Sequence, residues 1–79
     1  MEVRAEFTVY PFLAGEDPPT YVHAAIDALR SAGLKVEVGL LGQVVTGEAA
    51  LVLEALRQAQ AAAMDAGATR VAVNLEREP

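Results

Sequence analysis

Hydrophobic positions in this chain recur with two periods that alternate along its length. Residues 3–10, VRAEFTVY, put Ala5, Phe7 and Val9 on one side and Glu6, Thr8 and Tyr10 on the other. That is the two-residue period of a strand with one covered face. Pro11 cannot donate to a ladder and marks the strand's end. Residues 12–19, FLAGEDPP, hold stacked breakers, so a loop is expected there, with Asp17 capping the next element or favouring it through the helix dipole and a proline in its first turn. From Thr20 to Ala32 the period lengthens. Val22, Ala25, Ile26 and Leu29 form a helical stripe with His23, Asp27 and Arg30 opposite, and Gly33 supplies the stop.

Residues 34–47, LKVEVGLLGQVVTG, read as two short strands joined at Leu41-Gly42. Val36, Val38 and Leu40 share one face, Lys35, Glu37 and Gly39 the other. In the returning strand Gln43 pairs in direction with Val45, and Val44 with Thr46. Valine on both faces leaves open which of Gln43 and Val44 looks inward. Thr46-Gly47-Glu48 is expected to open a second helix running to about Ala66, with a stripe of Ala49, Val52, Leu53, Leu56, Ala59 and Ala63. Gly67 repeats the stop signal. A last strand spans Arg70 to Glu76, with Val71, Val73 and Leu75 inward and Ala72, Asn74 and Glu76 outward. The final residues are expected to fray.

The order βαββαβ specifies an α+β, ferredoxin-like sandwich. Right-handed crossovers place both helices on one face of a four-stranded antiparallel sheet in the order 4-1-3-2. The other face stays open unless a second subunit or a ligand covers it. At 79 residues the chain is expected to form one domain, 1–79, whose small core gains from association.

Composition narrows the classes of function. Six basic residues against eleven acidic ones give a net charge of −5. The basic residues are scattered, so a phosphate-tracking nucleic-acid surface is not expected. The absence of cysteine removes disulfides, thiolate metal sites and cysteine nucleophiles. No apolar run approaches a membrane span and no leader-like segment opens the chain, so a soluble, cytoplasmic protein is expected. His23, alone on a polar helix face, reads as a surface side chain. Gly39-x-x-Gly42 lacks the lysine of a phosphate loop. No catalytic or metal-ligating constellation emerges, which points to binding rather than turnover.

Several segments together resemble the YkoF-like thiamine-binding family. They are Tyr10-Pro11, Tyr21-Val22, Ser31-Ala32-Gly33-Leu34, Lys35-Val36-Glu37-Val38, the run from Leu41 to Glu48, and Ala66-Gly67-Ala68-Thr69-Arg70-Val71. The resemblance implies a ferredoxin-like fold, self-association into homodimers or homotetramers, and binding of thiamine or its hydroxymethylpyrimidine part. Gln43 stands where that family usually carries threonine, Thr46 where an acidic residue is usual, and Val36 where an aromatic is frequent. A ligand of that class needs an aromatic face or carboxylate for the thiazolium cation. Its aminopyrimidine needs donor and acceptor side chains. Thr8, Tyr10, Glu37, Gln43 and Asn74 supply those groups and are the candidate ligand-binding residues. The alternative is a structural or regulatory homo-oligomer whose open sheet face is subunit interface, without a small ligand.

Overall fold

In a computed structural model of the chain, residues 1–11, 19–39 and 42–79 are described. The elements are β1 (Glu2–Tyr10), α1 (Thr20–Ser31), β2 (Val36–Val38), β3 (Gln43–Glu48), α2 (Ala49–Asp65) and β4 (Arg70–Arg77). The sheet runs β2-β3-β1-β4, with every neighbouring pair antiparallel. Read from the other edge, this is the expected 4-1-3-2, and the fold is the ferredoxin-like sandwich. The expected loop over residues 12–19, including the Asp17 cap, lies outside the described residues except for Pro19, and so do Leu40 and Leu41 of the bend.

β1 is a central strand, and its alternation sets the inside of the molecule. Val3, Ala5, Phe7 and Val9 are buried while the intervening residues are not. Opposite Ala5 lie Val45 of β3 and Leu75 of β4; opposite Phe7 lie Gln43 and Val73. The helices cover this face. α1 buries Ala25, Ile26 and Leu29, and α2 buries Ala49, Val52, Ala55, Leu56, Ala59 and Ala63. Four of those six α2 residues are alanine, which favours helix and permits close backbone approach but buries little area per turn.

Two expectations for α2 are corrected. Leu53 is exposed and Ala55 takes its place in the core. At 3.6 residues per turn Leu53 sits about 100° from Val52, off a stripe that Ala55 joins. The helix also starts later than Thr46. Register pairs Thr46 with Arg4, Gly47 with Val3 and Glu48 with Glu2, so the ladder claims all three for β3. The Ala49 N–H donates to the Met1 carbonyl, and the Met1 ammonium donates to Glu48 Oε2 at 2.9 Å, closing that corner.

Both helices end as their glycines require. Gly33 has φ +85° and Gly67 φ +115°. The Leu34 N–H reaches back to the Leu29 carbonyl, and the Ala68 N–H to Ala63. These are the long back-bonds of the Schellman ending, with Leu34 and Ala68 buried beside them. β4 continues to Arg77, and the Glu78 N–H donates to the Glu2 carbonyl, so the tail stays on the ladder past the expected Glu76.

Gly42 is glycine for a different reason. A Cβ there would lie 2.6 Å from Thr8 Oγ1 and 2.9 Å from the Phe7 carbonyl oxygen. Gly42→Ala therefore has to push β3 away from β1, at a cost of about 1–3 kcal/mol in the way of other overpacked sites. Urea unfolding should show a lowered midpoint with an unchanged slope.

Candidate functional site

The sheet's second face has no helix over it, and strand parity assigns its residues. β1 contributes Arg4, Glu6, Thr8 and Tyr10, β2 Glu37, β3 Val44 and Thr46, and β4 Arg70, Ala72, Asn74 and Glu76. Cross-strand register arranges them in rows. One row runs Glu37, Val44, Glu6, Asn74; the next toward the chain's N-terminus contains Thr46, Arg4 and Glu76. Carboxylates thus surround a central cation. Arg4 Nη1 donates to Glu6 Oε1 at 2.6 Å. That hydrogen bond, helped by the charges of Glu6, Glu76 and Glu78, holds the guanidinium above its ordinary pKa.

A concavity of about 250 Å³ opens on this face, lined by Arg4, Lys35, Glu37, Val44, Thr46 and Glu78. It offers two cations, two carboxylates, a hydroxyl and one apolar contact. Such a rim suits a polar or zwitterionic partner. Lys35 and Glu37 are exposed and Arg4 and Glu78 half-buried, so each contact is weak and salt-sensitive. Of the five candidates read from the sequence, only Glu37 borders it. Arg4 was legible from its parity with Glu6 and Thr8. Glu78 was not, because it lies beyond the expected strand end.

The other four candidates do not converge there. Glu37 and Asn74 end the same row on opposite edge strands, three strand spacings or about 14 Å apart. Tyr10 lies about 13 Å along β1 from that row. It pairs instead with Arg70, whose guanidinium carbon sits 4.5 Å from the ring centroid. Thr8 lies between Tyr10 and Glu6, against Gly42. Thr8, Tyr10, Glu37 and Asn74 share a face without forming one pocket.

Gln43 is on the opposite face. Its register partners are Phe7 and Val38, on the helix side of the sheet. It is 7% exposed, and among the described residues it is the one buried polar side chain. Its Oε1 has no hydrogen-bond partner. The question of which residue looks inward is thus answered: Gln43 and Val45 point to the core, Val44 and Thr46 to the open face. Among the described residues no cluster of three His, Asp or Glu side chains has metal-binding geometry, and no helix is long and apolar enough to cross a membrane.

A family model described as "Thiamine-binding protein" matches residues 5–77, from the first core strand to the end of β4. The chain belongs to this thiamine-binding protein family. Solved structures agree with that placement. A domain of unknown function from Bacillus cereus is 31% identical with a TM-score of 0.71, the match covering 95% of this chain and 72% of that one. A hypothetical protein from Methanocaldococcus jannascii is 30% identical with a TM-score of 0.71, covering 98% and 81%. A Thermotoga maritima protein, provisionally described as acting in thiamine biosynthesis or salvage, shares the fold at 22% identity and a TM-score of 0.69, covering 96% and 81%. No curated protein matches the chain.

The Tyr10–Arg70 pair gives a test of how the open face of this thiamine-binding family member is held. Arg70→Ala should lower stability by about 0.5–1 kcal/mol, the usual worth of an exposed cation–π contact. Tyr10→Leu should cost a similar amount, and the double variant little more than either. A thermodynamic cycle from urea unfolding measures that coupling.

Proposed function

We propose that this protein is a non-catalytic binding protein for thiamine or its hydroxymethylpyrimidine part and that it works as a homo-oligomer. The observation that carries the reading is the family match over residues 5–77, nearly the whole domain. The provisional thiamine-pathway description of the Thermotoga maritima neighbour is consistent with it. The net charge of −5 favours the approach of a cationic ligand such as thiamine through long-range attraction.

The open face is the surface for self-association. It carries both charge signs in rows, with Arg4 between Glu6 and the carboxylates of Glu76 and Glu78. A copy related by a two-fold axis can set its carboxylate row against this cation, because an isologous contact presents the same patch from both sides. Such pairing selects register and orientation more than it supplies raw affinity. The structural-oligomer alternative uses the same face and omits the ligand.

Titration calorimetry with thiamine and with hydroxymethylpyrimidine, beside the solution mass, separates the two readings. Micromolar binding at a fixed ratio per subunit is expected. An oligomer that gives no heat with either compound would leave only the structural role. Arg4→Glu should place four carboxylates together and lower the solution mass toward the monomer at moderate salt, with circular dichroism unchanged. Retention of the full oligomer mass by that variant would remove the open face from the interface.

A further inference from the structure

β4 ends the sheet, and no strand among the described residues covers its outer edge. Its eight residues register with β1 one for one, so no bulge turns the strand away from a neighbour. It carries no proline or lysine, and its one charge on the helix side, Arg77, stands at the end. The rest of that side is Val71, Val73 and Leu75. In the same rows of β1, Val9, Phe7 and Ala5 are buried, whereas Val71 and Val73 are half-buried and Leu75 is 45% exposed. An edge with these features is a template for a further strand.

The backbone sets which groups face outward. The Glu78 N–H donates to the carbonyl of Glu2, its partner when the β1–β4 register is continued by one residue. Bonding direction alternates along an antiparallel strand. Asn74 and Ala72 therefore bond to β1, and the N–H and C=O groups of Val71, Val73 and Leu75 point away from it.

We infer that this edge pairs with the same edge of a second copy, antiparallel and centred on Val73, to make one continuous eight-stranded sheet. The inference goes beyond the open-face contact by giving the homo-oligomer a second interface, and it needs no ligand. A two-fold axis perpendicular to the sheet keeps both helix layers on one side. Outward-pointing groups have to meet their like, which restricts the axis to a position beside a residue rather than between two. Centred on Val73, Val71 faces the partner's Leu75 and covers the exposed apolar strip. Arg70 faces the partner's Glu76, an opposite-charge pair made twice by symmetry. Within the described fold Arg70 lies over the Tyr10 ring and has no carboxylate partner. Centring on Asn74 would set Val71 against the partner's Arg77, and centring on Ala72 would leave Leu75 opposite a threonine. Val73 gives the register in which apolar and charged positions both match.

Amide hydrogen exchange of the intact protein, read residue by residue beside its solution mass, tests the contact. The amides of Val71, Val73 and Leu75 should be protected alongside those of Ala72 and Asn74. Val73→Pro removes an outward N–H and no bond to β1. It should lower the solution mass and free the Val71 and Leu75 amides, while Ala72 and Asn74 stay protected. Glu76→Arg should weaken the edge dimer roughly 10-fold, and adding Arg70→Glu should restore it.

An oligomer whose three outward amides exchange freely, with Ala72 and Asn74 protected, overturns the inference and leaves the open face as the interface. Charge reversal at Glu76 that Arg70→Glu does not rescue overturns the register. A monomeric wild type removes this contact and the homo-oligomer reading together. Should Val73→Pro not fold, exchange in wild type decides.

Discussion

Everything in this domain depends on the burial of one side of β1. Because β1 pairs with β3 on one flank and β4 on the other, its alternation is copied into both neighbours through the ladder. β2 receives it in turn from β3. Sinking Ala5 and Phe7 under the helices commits Val45, Gln43, Val73 and Leu75 to that side. A slip of one residue would carry Arg4 and Glu6 into the core, a cost no surface contact could offset. The charges at alternate positions of β1 therefore specify register as firmly as the apolar residues do.

The helix layer is thin where it is built from alanine. α2 presents Ala49, Ala55, Ala59 and Ala63 to the interior, and the largest fully buried side chains are Phe7, Leu29, Val45 and Val52. Edge strands are covered less. Val38 of β2 and Leu75 of β4 point to the helix side yet remain about half exposed. Small domains of this kind gain stability from association, because a second copy or a ligand adds burial without adding chain entropy.

The two faces of the sheet consequently have different chemistry. The open face is a grid of opposed charges around a shallow concavity, suited to register-specific contact with a polar partner. Among the described residues the helix side is hydrocarbon with one buried amide, Gln43, set into it. A charged rim in water contributes little per contact, whereas a polar atom left unpaired in a dry site costs more than an exposed one.

Periodicity alone determined the element order, the ferredoxin-like topology, the inward sets of β1, α1 and β4, and the two glycine stops. Each rests on short-range sterics or on one repeat distance that a single segment displays. The family resemblance was legible too, because its residues lie in contiguous runs. What only the tertiary structure decided was parity and convergence. β3 has valine on both faces, so Gln43 and Val44 could be told apart only by their pairing with Phe7 and Glu6. The extension of β3 through Glu48 depended on β1 being there to receive its backbone bonds. Thr8, Tyr10, Glu37 and Asn74 do share a face, as alternation predicted, but alternation carries no information on lateral distance. Strand order puts Glu37 and Asn74 on opposite edges, and burial, a property of the whole assembly, left Gln43 as the amide without a partner.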